Sequence, residues 1–316
     1  MAPSTSEKNA TAGAPRPGKD ASGAASMALT ALLCGAVGIA FAPIFVRLSE
    51  LGPSATAFHR VLLALPVLWA WGAMERRGGM NVRRPAGLAD YMALALAGLF
   101  FGFDLAFWHW SIRYTTVANS TLLANFAPIF VTLAGFVFFK ERFSRLFLLG
   151  LVMAIGGASV LMGKSFTIGP ANLLGDGLGL ITAVFYAGYI ITVGRLRARF
   201  STATIMVWSS LVSAFVLLGV ALISGEGLVA PSLYGWAVLL GLAVLSHCGG
   251  QGLIAYSLAH LPAAFSSVAL LLQPAVAAGL AWIILDEALG GWQALGAAVI
   301  LAGIYLAHRG SRIKAM

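Results

Sequence analysis

A few polar side chains sit inside long apolar runs of this 316-residue chain, where an unpaired charge is costly. Arg60 falls within "SATAFHRVLLALP" and Asp104 opens "DLAFWHW". The two could pair and fix helix packing, or Arg60 could hold the carboxylate of a ligand. Asp104 and Trp108 are spaced i, i+4 and share a helix face, while His109 turns one residue away and, with Trp110, reads as an interfacial anchor. "FYAGYIITVGR" puts Tyr186 and Tyr189 on one face, and "SHCGGQG" does the same for His247 and Gln251 among three glycines. Asn125 and Gln273 stand beside Pro128 and Pro274. Each could line a cavity or serve backbone groups freed by the proline. These groups hold a charged head and cover an apolar body, which is recognition chemistry. No nucleophile or metal constellation converges with them, and no H-E-x-x-H, G-x-S-x-G or phosphate loop occurs. Neither a metal nor a cofactor is expected, and the chain does not read as an enzyme.

The elements that must position these residues follow from composition. Hydrophobic residues make up 59% of the chain and charged residues 10%, against about 25% charge in soluble domains. A bilayer core of about 30 Å needs roughly 20 apolar residues per helix. Ten such runs occur, near 27–48, 54–75, 88–110, 116–139, 144–163, 172–194, 202–224, 233–257, 263–285 and 290–308. They are continuously apolar and do not alternate, so helices are predicted and barrel strands are not. Residues 1–26 hold no apolar core of a signal peptide and are expected to form a disordered cytosolic tail, with a second tail at 309–316. Cys34 and Cys248 lack metal spacing and read as packing residues.

The formal charge of +9 invites a nucleic-acid reading, which the distribution of charge argues against. With a cytosolic N-terminus, 16 of the 20 Lys and Arg fall on the cytosolic side, and only Arg47, Arg113 and Lys164 lie outside. The positive-inside rule places both termini in the cytosol of a bacterial-type inner membrane. The expected partners are therefore the bilayer and a small molecule.

"NFAPIFVTLAGFVFFKERFS" (125–144) and "LLQPAVAAGLAWIILDEALG" (271–290) follow one plan. A shift of 146 brings Pro128 onto Pro274, Glu141 onto Glu287, Gly150 onto Gly296 and Gly157 onto Gly303. Residues 27–163 and 172–308 thus form two five-helix repeats, and the odd helix number makes the second inverted. The fold class is all-α integral membrane: ten transmembrane helices as two inverted repeats. Inverted repeats mark secondary transporters, because similar halves of opposite orientation give two access states of similar energy. "GLFFG" (98–102) and "GDGLG" (175–179) have the spacing of helix contacts.

At these residues the chain resembles the drug/metabolite transporter superfamily, in its EamA-type ten-helix form. The resemblance rests on the helix 2 segment quoted above, on "ANFAPIFVTLAGFVFFKERFSRLFLLGLVMAIGGASVLM" and on "LLLQPAVAAGLAWIILDEALGGWQALGAAVILAGIYLAHR". It implies a central cavity, with helices 5 and 10 at the edge, and alternating-access export of small amphipathic metabolites. Amino acids, aromatic or apolar ones included, are the expected cargo. Drugs or nucleoside-type metabolites are the alternative, followed by a channel or an intramembrane enzyme. The candidate substrate-binding set is Arg60, Asp104, Trp108, Asn125, Tyr186, Tyr189, His247, Gln251 and Gln273. Protons could couple through Asp104, His59 or His247, although uniport is favoured; a monomer is expected.

Single cysteines replacing Arg142 and Ala288 should label from opposite sides of the membrane. Labelling of both from one side would remove the inverted repeat.

Overall fold

A computed structural model describes residues 19–77, 83–115, 117–163, 169, 172–285 and 290–313. Among them ten helices are long and apolar enough to cross a membrane, and no strand occurs. We number them α1 (Gly23–Leu48), α2 (Pro53–Arg77), α3 (Leu88–Tyr114), α4 (Asn119–Phe139), α5 (Arg145–Met162), α6 (Leu173–Leu196), α7 (Thr202–Ile223), α8 (Leu233–Ser257), α9 (Ala263–Ile284) and α10 (Gly291–Ser311). Ten crossings among the described residues put Lys19 and Ile313 on one face, called here the terminal face. Helical backbone begins at Lys19 and runs on to Ile313, beyond the apolar runs where tails were expected. Alanine-rich sequence carries the first helix past its apolar limit. Lys164, Asp286, Glu287 and Ala288 lie outside the described residues.

The basic stop after α4 is a helix cap. Lys140 takes a left-handed conformation (φ 52°), and the N–H groups of Lys140 and Glu141 both return to the Gly135 carbonyl. This satisfies a carbonyl that would otherwise be orphaned at the helix end.

Four spans are interrupted just before a proline. The helix breaks at Phe41 before Pro43, at 63–64 before Pro66, at 125–126 before Pro128 and at 270–271 before Pro274. Proline lacks an N–H and clashes with the preceding turn, but suits the first turn of the helix that restarts. The Asn125 amide back-bonds to the Thr121 carbonyl at 2.9 Å across one such break, and the Cys248 thiol donates to the Ala64 carbonyl beside another. Gly188 does not bend α6, which is continuous. A Cβ there would stand 2.6 Å from the Phe100 ring, so the glycine makes room for an aromatic.

In α8 the segment Leu242–Gln251 is a π-helix. The widened turn ends at Gln251, in the same span as Ser246 and His247.

Close packing follows the small residues. Ser213 donates to the Gly98 carbonyl at 2.8 Å, joining α3 to α7, and Ser111 to the Gly175 carbonyl at 2.7 Å, joining α3 to α6. The tightest seam is α5 against α10, at the edge of the bundle. A Cβ on Gly157 would lie 2.8 Å from the Gly296 carbonyl oxygen, and one on Gly296 would lie 2.7 Å from that of Gly157. Gly150 and Gly303 face each other in the same way. The 146-residue shift exchanges these two contacts, so the seam is self-complementary about a two-fold axis, as in an isologous interface.

Gly303→Val forces this seam apart and should cost about 1–3 kcal/mol or more in thermal unfolding. Gly156→Ala, where nothing lies within 4 Å, should be neutral or slightly stabilising. Equal effects at both positions would show that the seam is not under this constraint.

Candidate functional site

The interrupted helices converge on a cavity of about 120 Å³ at mid-bundle. Arg60 reaches it from α2, near the break at 63–64, and Asn125 from the unwound turn of α4. Phe101, Asp104 and Trp108 form one stripe on α3, with the i, i+3, i+7 spacing of a single face. Thr182 and Tyr186 come from α6, Gln251 from the end of the π segment, and Gln273 with Pro274 from the restart of α9. None of the lining residues belongs to α5, α7 or α10.

Arg60 and Asp104 are both buried, at 5% and 7% exposure, yet they do not pair directly. Among the described residues neither makes a salt bridge or a hydrogen bond. The Arg60 guanidinium instead sits over the Phe101 ring, 5.8 Å from its centre, one helical turn from Asp104. Its Nε has no partner. An arginine and an aspartate therefore border one small cavity, each with hydrogen-bonding capacity to spare.

Seven of the nine predicted residues line the cavity: Arg60, Asp104, Trp108, Asn125, Tyr186, Gln251 and Gln273. Tyr189 and His247 do not. Both are buried and pack against Phe101, whose ring does line the cavity. Tyr189 lies 4.8 Å from the Phe101 ring and nearly parallel to Tyr186 at 6.2 Å, with its hydroxyl on the Met206 sulfur at 3.8 Å. His247 packs on Phe101 at 5.4 Å and shares a hydrogen bond of 2.8 Å between its Nε2 and the Ser210 hydroxyl. The Gln251 amide lies beside the Tyr189 hydroxyl, as the Gln273 amide lies beside that of Tyr186.

His109 is no interfacial anchor: it is 1% exposed, and its Nδ1 meets the Leu105 carbonyl at 2.6 Å. Trp110 likewise has its indole nitrogen buried. Packing of α3 against its neighbours turns this face inward. Phe101 and Thr182 were missed, although helical spacing from Asp104 and Tyr186 would have found both.

Broken helices in two inverted halves, meeting around a polar cavity, define a multi-pass membrane transporter. The sequence profile of the EamA-like transporter family matches residues 23–163 and 173–309, and the chain belongs to that family. An uncharacterized transporter of Archaeoglobus fulgidus is 27% identical over 83% of this chain and 91% of its own length. A probable amino-acid metabolite efflux pump of Salmonella typhimurium is 29% identical over 80% of this chain and 95% of its own. A solved crystal structure shares the fold, with a TM-score of 0.73 at 19% identity, covering 92% of this chain and 99% of that one.

The absence of a direct pair has a measurable consequence. Removing one member of a buried salt bridge costs about 3–5 kcal/mol. Asp104→Asn, which removes an unpaired buried carboxylate, should instead leave thermal stability unchanged or raise it. A loss on the scale of a broken ion pair would reinstate the structural pairing.

Proposed function

We propose that the chain exports amino acids or closely related zwitterionic metabolites by alternating access of the central cavity. The observation that carries this reading is the pair of unpartnered opposite charges on one small cavity. A substrate carboxylate accepts from the Arg60 guanidinium while its ammonium donates to Asp104, and each buried charge gains the partner it lacks. Trp108, Phe101 and Tyr186 cover the apolar part. Asn125, Gln251 and Gln273 supply the remaining hydrogen bonds. A few convergent polar groups set among aromatic and aliphatic faces suit a small amphipathic cargo.

The similarity to a probable amino-acid metabolite efflux pump supports the same class. Tyr189 and His247 brace the Phe101 ring, and the two repeats, 27–163 and 172–308, rock against each other about the cavity. The charge asymmetry supports an inner-membrane protein with both termini in the cytosol. We favour a monomer, as expected from the sequence, and a uniporter: His247 is engaged with Ser210, His59 with the Ala55 carbonyl, and Asp104 is taken up by the substrate ammonium.

Counterflow in liposomes against a panel of amino acids tests this. Free amino acids should exchange, whereas their methyl esters and N-acetyl derivatives, each lacking one charge, should not compete. Arg60→Gln should lower exchange by about 10–100-fold, the worth of one hydrogen bond to a charged group. Esters exchanging as well as free acids would exclude carboxylate recognition by Arg60.

A further inference from the structure

A second concavity, of about 520 Å³, lies at the terminal face between α2, α3 and α7, well away from the central cavity. Trp69, Gly72 and Arg76 contribute one face of α2, Tyr91 the first turn of α3, and Thr204 with Trp208 the start of α7. Arg84 closes it from the connection between α2 and α3. All three helices end here, so the groove runs from the apolar spans out to their polar ends, where Arg76 and Arg84 stand. It faces outward, since Trp69 is 56% and Tyr91 40% exposed. Tyr91 and Trp208 meet edge-on at 5.0 Å and form an aromatic wall.

The local carboxylates are engaged elsewhere and leave both arginines of the groove over. Asp90, the buried carboxylate nearby, is held by Arg83, by Arg199 and by the Ala86 N–H. Glu75 interacts with Arg197. Among the described residues Arg76 and Arg84 have neither an ion-pair nor a hydrogen-bond partner. Arginines at this level orient a membrane protein without converging on anything. Here two converge on one groove walled by interfacial aromatics, with Gly72 leaving room for the Arg76 guanidinium, which would lie 3.3 Å from a Cβ at that position.

We propose that this groove binds the phosphate headgroup of an anionic membrane phospholipid. Arg76 and Arg84 present planar donor forks to the phosphate oxygens. Trp69, Tyr91 and Trp208 pack against the glycerol region, where aromatic side chains favour the interface. The Thr204 hydroxyl adds a donor.

The test uses the full chain, delipidated in detergent, with binding read by native mass spectrometry and by thermal shift. Phosphatidylglycerol should bind and raise the unfolding temperature, while phosphatidylcholine and inorganic phosphate should do neither. Arg76→Gln with Arg84→Gln should weaken phosphatidylglycerol binding by about tenfold or more. Arg142→Gln with Arg145→Gln, basic residues elsewhere on the same face, should change it by less than about twofold. Should the first double variant fail to fold, Thr204→Trp, which fills the groove and keeps both arginines, carries the same expected loss. Equal losses in the two double variants would overturn the site in favour of diffuse charge attraction. Equal binding of phosphatidylcholine would overturn it on headgroup charge, and equal protection by inorganic phosphate would overturn the lipid as its ligand.

Discussion

Hydrocarbon offers no partner to a peptide group, and that constraint organises the molecule. It makes the spanning backbone helical and permits unwinding only where protein or a polar cavity takes the place of water. The interruptions obey it. The breaks in α1, α4 and α9 border the central cavity, and the π segment of α8 delivers Gln251 to the same space. The break in α2 lies close to Arg60, with a cysteine thiol beside its Ala64 carbonyl. Irregular backbone and polar side chains thus collect in one place, because each makes the other affordable.

The scaffold is symmetric and the site is not. Both halves contribute a broken helix with a proline at the matched position, and their last helices meet across a seam that maps onto itself. Both charges, Arg60 and Asp104, come from the first half, while the second supplies Tyr186, Gln251 and Gln273. Repeated geometry suits two access states of similar energy, and it places no demand on side-chain chemistry. Recognition can then be specialised on one half without disturbing the exchange between states.

What was legible in the sequence was whatever depends on one helix at a time. Ten apolar runs, the prolines and the register of the copies are properties of the chain alone, and so is the shared face of Asp104 and Trp108. What escaped depends on how each helix is rotated against its neighbours. The depths of Arg60 and Asp104 allowed a pair, but the guanidinium lodges over Phe101 instead. His109 was assigned to an interface by its distance from the helix end, and packing turned it inward. Tyr189 and His247 share faces with Tyr186 and Gln251, yet they pack on the Phe101 ring and do not line the cavity. Small-residue spacing sits in the middle: it announced helix contacts at 98–102 and 175–179 without naming their partners.

The seam between α5 and α10 also bears on how the protein is made. Gly150 has its partner in Gly303, so the glycine face of α5 enters the bilayer before that partner has been synthesised. At about 5–20 residues per second the ribosome needs on the order of ten seconds or more to supply the intervening chain. During that interval the first half stands in the membrane as an open form, its close-approach surface lined by lipid. Helix α10, made long after α5, is the one that closes this seam, and an error in it leaves the glycine face of α5 without its match.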